Sequence, residues 1–159
     1  MAAKAEALAK QFEAKVQDAT ATLEKLTDAD WKKTTAGEKW TVGVTAHHVA
    51  SSHEGIAGII KAVSAGQSTG NFTLEQLHEM NAKHAQEFAN ATKADTIALH
   101  KKNAAAAAAA VRGLTDDQLT KSAVVLQGMP PMSVEQIVTA ILINHVDDHI
   151  GSIKKTVAA

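Results

Sequence analysis

Hydrophobic side chains recur at intervals of three and four residues along four long stretches of the chain, which is the pattern of helices that bury one face. The stretches cover residues 3–26, 42–63, 73–113 and 133–156. The segments that separate them lack this periodicity and contain small and turn-forming residues. The pattern therefore predicts four long helices joined by long connections.

Two of the predicted helices carry capping signals where their periodic segments begin. Thr73 is followed three residues later by Gln76, and Ser133 is followed in the same way by Gln136. Such pairs satisfy free amide groups in the first turn of a helix, and so they place the starts of the third and fourth helices. The connection before the fourth helix contains "TDDQL", which predicts one short helical turn.

The composition favours helices over sheets. Alanine is abundant, aromatic residues make up 3% of the chain, and its two prolines lie side by side. A chain of 159 residues is long enough to build one hydrophobic core. We therefore expect a single all-α domain over residues 1–159, with the architecture of a four-helix bundle.

Charge and targeting features exclude several classes of protein. The 16 Lys and Arg residues nearly balance the 17 Asp and Glu residues, and no basic run indicates a nucleic-acid-binding surface. The charged, amphipathic start lacks the apolar core of a signal peptide, and no apolar stretch reaches the roughly 18 residues of a membrane span. We expect a cytoplasmic protein that binds neither nucleic acid nor membranes. Because the chain has no cysteine, any thiol chemistry needs an external thiol.

Polar residues occupy positions that are expected to face the core near the end of the fourth helix. Its apolar line runs from Val134 to Ile141, and continuing that line by threes and fours reaches His145, Asp148 and His149. Two imidazoles four residues apart project from one helical face and can converge on a metal ion. The alternative is a pair of buried histidines that are satisfied by hydrogen bonds. A third, distant ligand is needed to decide between these interpretations.

Other candidate residues lie on the second and third helices. On the second helix, His47 points almost opposite the apolar stripe and is predicted to be solvated. His48 and His53 lie near the two edges of that stripe, and helical phase alone does not choose between them as a metal ligand. On the third helix, Asn81 and His84 point inward or nearly so.

Two segments of the chain resemble a known family. "LTDADWKKTTAGEKWTVGVTAHHVASSHE" and "NHVDDHIGSI" are similar to motifs of the DinB-like, or damage-inducible, four-helix-bundle superfamily. In that family a Trp starts the second helix, a metal-binding His follows two turns later, and two ligands four residues apart complete the site. The resemblance implies that Trp40 marks the helix start and that His48, His145 and His149 bind the metal. Many relatives have Arg and Gln after the last His, where this chain has residues 150–152, so the substrate contacts of that turn do not transfer.

The resemblance also bears on chemistry. Three imidazole ligands would leave a coordination position open, as in catalytic metal sites. Zn or Ni fits an all-imidazole site, and Fe is a further candidate. Some family members are thiol transferases or isomerases that use a low-molecular-weight thiol, which implies a metal-dependent transferase or hydrolase acting on a small electrophile with a thiol or water nucleophile. The alternative is a non-enzymatic, stress-related bundle that binds metal or a small molecule.

A polar pocket is expected beside this metal site. Asn81, His84 and Asp148 would form its polar walls, with Trp40 and Phe88 as its apolar surface. Asp148 is the predicted catalytic residue, because an inward carboxylate can orient an imidazole N–H or accept a proton. The alternative is a helix residue that is satisfied by a hydrogen bond.

The fourth helix carries a second apolar line, formed by Ile143, Val146, Ile150 and Ile153. A helix that is apolar nearly all round has to bury its other side as well. Ile150 points almost opposite the line through Ile141, and twofold contacts are the commonest oligomer geometry. The pattern predicts a homodimer with the fourth helix at or near the interface. The alternative is that an adjacent helix of the same chain covers part of this line.

Overall fold

Helices dominate the computed structural model, which describes residues 2–69 and 72–159 and confirms the all-α fold. The helices are α1 Ala3–Glu24, α2 Asp28–Trp31, α3 Val42–Ser64, α4 Leu74–Glu87, α5 Lys93–Arg112, α6 Asp116–Thr120, α7 Val134–Gln136 and α8 Asn144–Ala158, with a π-helical segment at Ile137–Ile143. Two-residue strands, β1 Ser122–Ala123 and β2 Met132–Ser133, pair antiparallel in the last connection. No helix in these described residues is long and apolar enough to cross a membrane.

The four long helices of the bundle are α1, α3, α5 and the C-terminal helix, the name used below for α7, the π-helical segment and α8 together. α5 packs against both α1 and α3, and Ala104, Ala107 and Ala108 of the alanine run are buried in that contact. Small side chains at these positions let the helices approach closely. The predicted capping boxes at Thr73 and Ser133 are both confirmed, as is the short helix at "TDDQL".

The predicted third helix is wrong as one continuous element, because it divides into α4 and α5. Thr92 ends the break and caps α5, accepting a hydrogen bond of 3.2 Å from the backbone N–H of Asp95. The carbonyl of Ala91, inside the break, accepts a 2.9 Å hydrogen bond from Nε1 of Trp31. This contact fixes the end of α4 to the connection that precedes α3.

A π-helical segment changes the phase of the C-terminal helix. A π-helix closes i→i+5 hydrogen bonds, so each residue advances by a smaller angle than in an α-helix. Residues after Ile143 therefore face differently from an extrapolation of the line through Ile141. The row that was predicted to be exposed is in fact part of the core of the single chain. Its members are Ile143, Val146, Ile150 and Ile153.

The burial of this row removes the basis for the predicted dimer interface. Ile150 is 3% exposed and Ile153 is fully buried without any second chain. The row is therefore not the exposed face that the sequence pattern predicted, because the π-helical segment rotates it into the core, and the homodimer itself stays a prediction.

Candidate metal centre

Three histidines from two helices converge on one point of the bundle. His48 lies in the second turn of α3, and His145 and His149 lie on α8. One nitrogen from each ring lies within 4.8 Å of the other two, and Nε2 of His48 is 3.0 Å from Nε2 of His145. Within residues 2–69 and 72–159 this is the single group of three His, Cys, Asp or Glu side chains with metal-binding spacing.

The three side chains fit a divalent metal ion. Burial, and after it the neighbouring imidazoles, lower the pKa of His48 to about 3, and the same causes lower the pKa of His145 to about 3. Both rings are therefore neutral near pH 7 and offer nitrogen lone pairs, as a metal ligand must. Tetrahedral ligands about 2.0–2.1 Å from an ion stand roughly 3.3 Å apart, so the 3.0 Å between the two Nε2 atoms needs only a small ring movement.

A carboxylate that the sequence did not single out holds the third ligand. Nδ1 of His149 donates a hydrogen bond of 2.9 Å to Oε1 of Glu38, and the hydroxyl of Ser152 donates one of 2.7 Å to Oε2. Burial raises the pKa of Glu38, but hydrogen bonds from Ser152, Thr35 and His149 outweigh burial and hold that pKa below its ordinary value. The ionised carboxylate thus keeps the proton of His149 on Nδ1 and leaves Nε2 as its free nitrogen.

The segment before α3 is folded so that Glu38 reaches α8. The backbone N–H of Thr35 donates to the carbonyl of Trp40 at 2.8 Å, and Lys39 takes a left-handed conformation with φ of 61°. Together they close a tight loop with Glu38 near its tip. Thr41 then starts α3 by accepting a hydrogen bond from the backbone N–H of Val44 at 3.1 Å. No helical periodicity extends into this loop, so the hydrophobic pattern does not point to Glu38, and its closeness to Trp40 is the one hint.

The name triad is used below for His48, His145 and His149. Three of the predicted pocket residues contact the triad or a residue that packs on it. The Trp40 ring meets His48 edge-on with ring centroids 5.2 Å apart, and the centroid of His84 is 5.8 Å from that of His48. Phe88, at the end of α4, packs on His84 at 4.7 Å. Asn81 is half-buried one turn before His84 and makes no side-chain hydrogen bond with a described residue. The aromatic part of the predicted pocket is thus assembled, whereas Asn81 is not tied to it.

Two predicted orientations are wrong. His47 is 7% exposed rather than solvated, because α4 covers it: Phe88 stacks on its ring at 4.1 Å and His84 Nε2 lies 2.9 Å from its Nδ1. Asp148 is exposed rather than inward. The π-helical segment lies between Asp148 and the apolar line that predicted its orientation, and the rotation there turns Asp148 toward solvent. Glu38 is therefore the carboxylate that contacts a triad imidazole.

The choice between His48 and His53, which helical phase left open, is decided by their partners. His48 joins the triad, and His53 lies deeper in the core, where its Nε2 is 3.0 Å from Nδ1 of His100 on α5. His53 is thus paired with a histidine of another helix instead of joining the metal-binding group.

Buried histidines make the stability of the metal-free protein sensitive to acid. The folded-state pKa values of His48, His53 and His145 are lowered from 6.5 to about 3, chiefly by burial. Between these two pH values the unfolded chain binds protons that the folded chain does not, so the free energy of unfolding falls as the pH falls. We expect urea denaturation curves to be nearly constant above about pH 7 and to shift progressively to lower urea from pH 6.5 toward pH 4. Curves unchanged across that range would contradict the buried, neutral state of these rings.

Comparison with known proteins places the chain in a family. Its sequence matches the family model described as the DinB superfamily over residues 11–153, which is most of the chain. The chain therefore belongs to the DinB superfamily. A search of curated proteins finds no match.

Two solved structures share the fold at low sequence identity. The mycothiol-dependent maleylpyruvate isomerase superposes with a TM-score of 0.75 at 15% identity, over 94% of this chain and 60% of the isomerase. YfiT from Bacillus subtilis, described as a probable metal-dependent hydrolase with an unusual four-helix bundle topology, superposes with a TM-score of 0.77 at 18% identity, over 96% of this chain and 85% of YfiT. This chain thus spans 60% of the length of the isomerase, and at these identities the likeness concerns the fold.

Proposed function

We propose that this DinB-superfamily protein binds one divalent metal ion through His48, His145 and His149 and uses it in the transfer or hydrolysis of a small electrophile. The observation that carries the proposal is the convergence of three imidazoles within 4.8 Å, one of them fixed by a carboxylate. Three protein ligands leave a coordination position for a further ligand, as in catalytic sites. Zn or Ni suits an all-imidazole set, with Fe as a further candidate.

The nucleophile is proposed to be a thiol or water. When bound, a divalent ion lowers the pKa of such a group and polarises a substrate carbonyl. The chain has no cysteine, so a thiol would come from a separate low-molecular-weight molecule. The fold shared with a mycothiol-dependent isomerase and a probable metal-dependent hydrolase is compatible with either nucleophile.

The protein side chains around the triad have distinct proposed roles. Glu38 accepts the Nδ1 proton of His149 and keeps that ring in the orientation that binds metal. The ring of Trp40 covers one side of His48 and limits the access of water. His84, next to His48, can donate or accept a hydrogen bond from a small ligand, with Phe88 as the apolar surface behind it.

Replacing Glu38 by Gln is expected to weaken metal binding by about 10- to 100-fold, the usual cost of losing a carboxylate that orients a ligand histidine. The amide has nearly the same shape but lacks the charge that favours the proton on Nδ1 of His149. The dissociation constant, measured by competition with a chromogenic chelator, provides the test. Ser152→Ala removes a hydrogen bond to the same carboxylate without removing its charge and serves as the matched control, with a smaller loss. Equal affinities for wild type and Glu38→Gln would exclude Glu38 from the site.

The proposed activity is tested by metal analysis of the purified protein, followed by assays of thiol conjugation and of ester hydrolysis with and without chelator. We expect one equivalent of metal and turnover that chelator abolishes and the metal restores. Bound metal with no chelator-sensitive turnover would instead favour a non-enzymatic bundle that binds metal or a small molecule. Absence of bound metal after incubation with Zn²⁺ or Ni²⁺ would contradict both.

A further inference from the structure

The helix α4 is attached to the protein differently from the four long helices of the bundle. It packs on α3 but buries none of its own residues, and Leu74 and Met80 are 55% and 57% exposed. A helix without a buried apolar face gains little from packing, so its position depends on contacts at a few points. These points are its two ends and the rings of His84 and Phe88.

Each end of α4 is tied to another part of the chain through a backbone carbonyl. Before the helix, the carbonyl of Phe72 accepts a hydrogen bond of 2.8 Å from the backbone N–H of Gln127. After the helix, the carbonyl of Ala91 accepts one of 2.9 Å from Nε1 of Trp31. The second bond is donated by a side chain, so a substitution can remove it without altering the backbone.

Trp31 is itself held in place on the first turn of α3. Its ring lies directly over Gly43, where a Cβ atom would collide with three atoms of the indole, Nε1, Cε2 and Cδ1. Trp31 is the last residue of α2, and the capping box of Thr27 and Asp30 fixes the start of that short helix. The glycine therefore provides the space from which the indole N–H reaches Ala91.

The last turn of α4 connects Ala91 to the metal centre. The backbone N–H of Ala91 donates to the carbonyl of Phe88 at 3.1 Å, and that of Phe88 donates to the carbonyl of His84 at 2.9 Å. The Phe88 ring stacks on His47 at 4.1 Å, and Nε2 of His84 lies 2.9 Å from Nδ1 of His47. The centroid of the His84 ring is 5.8 Å from that of the ligand His48. The end of α4 therefore lies over the α3 side of the triad.

We infer that Trp31 is a positioning residue that holds α4 as a cover over the α3 side of the metal centre, and that the Ala91 end of α4 lifts to let metal and ligands pass. The inference rests on the proposed metal site. Trp31 acts on that site through Ala91, Phe88 and His84. Because α4 supplies no member of the triad, such a cover sets how fast metal enters and leaves without changing the affinity.

Hydrogen exchange of the metal-free protein tests the hold of Trp31 on α4. Trp31→Phe keeps an aromatic ring over Gly43 but lacks the N–H donor to Ala91. We expect the amides of residues 84–91 to exchange about 2- to 10-fold faster, the change that one ordinary hydrogen bond makes in an opening equilibrium, while α5 keeps its wild-type rates. Wild-type exchange across residues 84–91 in this variant would overturn the inference.

Two further variants separate this hold from a general loss of stability. Gly43→Ala removes no hydrogen-bonding group and introduces the better helix former, yet it displaces the indole, so residues 84–91 should again exchange faster. Met80→Ala, at an exposed position of α4, is the control and should exchange as wild type. An effect of Met80→Ala as large as that of Trp31→Phe would show that α4 is loose irrespective of Trp31, and would overturn the inference.

The kinetics of Zn²⁺ binding test the cover itself. In Trp31→Phe, the association rate and the rate of release to excess chelator should both rise by the factor that hydrogen exchange gives, with an unchanged dissociation constant. Glu38→Gln is the contrasting variant, because it acts on a ligand ring and should change the dissociation constant. Wild-type rates in Trp31→Phe would place the route to the metal elsewhere and overturn the inference.

The two measurements separate failure of this inference from failure of the proposed function. A protein that takes up no Zn²⁺ contradicts the proposed function, and the exchange of residues 84–91 in Trp31→Phe then still decides whether Trp31 holds α4. A protein that binds Zn²⁺ while this variant leaves the exchange of α4 unchanged keeps the proposed function and contradicts the cover.

Discussion

His145→Ala is expected to reduce the affinity for a divalent metal by more than about a hundredfold. Structural zinc sites gain roughly 10–16 kcal/mol from four ligands, so one imidazole contributes about 2.5–4 kcal/mol. The loss should be large because His145 is the ring whose Nε2 lies 3.0 Å from that of His48, at the centre of the triad. Competition with a chelator of known affinity gives the dissociation constant, and circular dichroism checks that the helices remain.

The control for this variant is His47→Ala. His47 directly precedes His48 on α3 but contacts Phe88 and His84 instead of the triad. Its removal should leave the metal content near that of wild type. If His47→Ala loses the metal while His48→Ala retains it, the assignment of the α3 ligand is wrong.

Ile150→Glu is expected to destabilise the single chain by about 4 kcal/mol or more, because it places a carboxylate in an apolar core without a partner. Ile150 is 3% exposed and belongs to the same buried row as Val146 and Ile153. The free energy of unfolding from urea denaturation measures the effect. Asn144→Glu adds the same charge at an exposed position of α8 and should change stability little.

The same variant distinguishes the observed packing from the exposed face that the sequence pattern predicted. If the row covered a dimer interface, Ile150→Glu would yield a folded monomer, which sedimentation would detect. A folded, monomeric Ile150→Glu protein of nearly wild-type stability would therefore contradict the core position of Ile150. It would support the predicted dimer interface on the fourth helix.

Local signals in the sequence were sufficient for most of the helices. Thr73 with Gln76 and Ser133 with Gln136 are capping pairs whose chemistry acts within one turn, so they could be read without knowing the fold. Thr92 and Asp95 form a similar signal before α5, but the helical pattern continuing on both sides concealed the break. Boundaries set by short-range hydrogen bonds are thus predictable, provided that a break is sought inside a periodic stretch.

The direction in which side chains of the C-terminal helix point was not predictable. It depends on the rotation about the helix axis summed over all the preceding residues. Each residue of the π-helical segment adds a small angular difference, and the sum turns Asp148 outward and Ile150 inward. His145 and His149 kept their relation to one another because both follow the segment and remain four residues apart on α8. Relative spacing within one regular helix survives such a rotation, whereas extrapolation across it does not.

The partners contributed by distant parts of the chain were also beyond sequence reasoning. Glu38 reaches His149 from a loop, and His100 meets His53 from another helix. In both cases one histidine was visible as a candidate, but its partner lies at a sequence separation that only tertiary packing determines. The resemblance to the DinB-like family supplied His48, which phase alone could not separate from His53.

Anomalous X-ray diffraction from crystals soaked with Zn²⁺, recorded on both sides of the zinc absorption edge, tests the central proposal most directly. We predict one anomalous peak per chain between the side chains of His48, His145 and His149, with Glu38 still bonded to Nδ1 of His149. Crystals of His149→Ala should lack that peak or show it strongly reduced. A peak at any other group of side chains, or none in the wild type, would contradict the proposed metal centre.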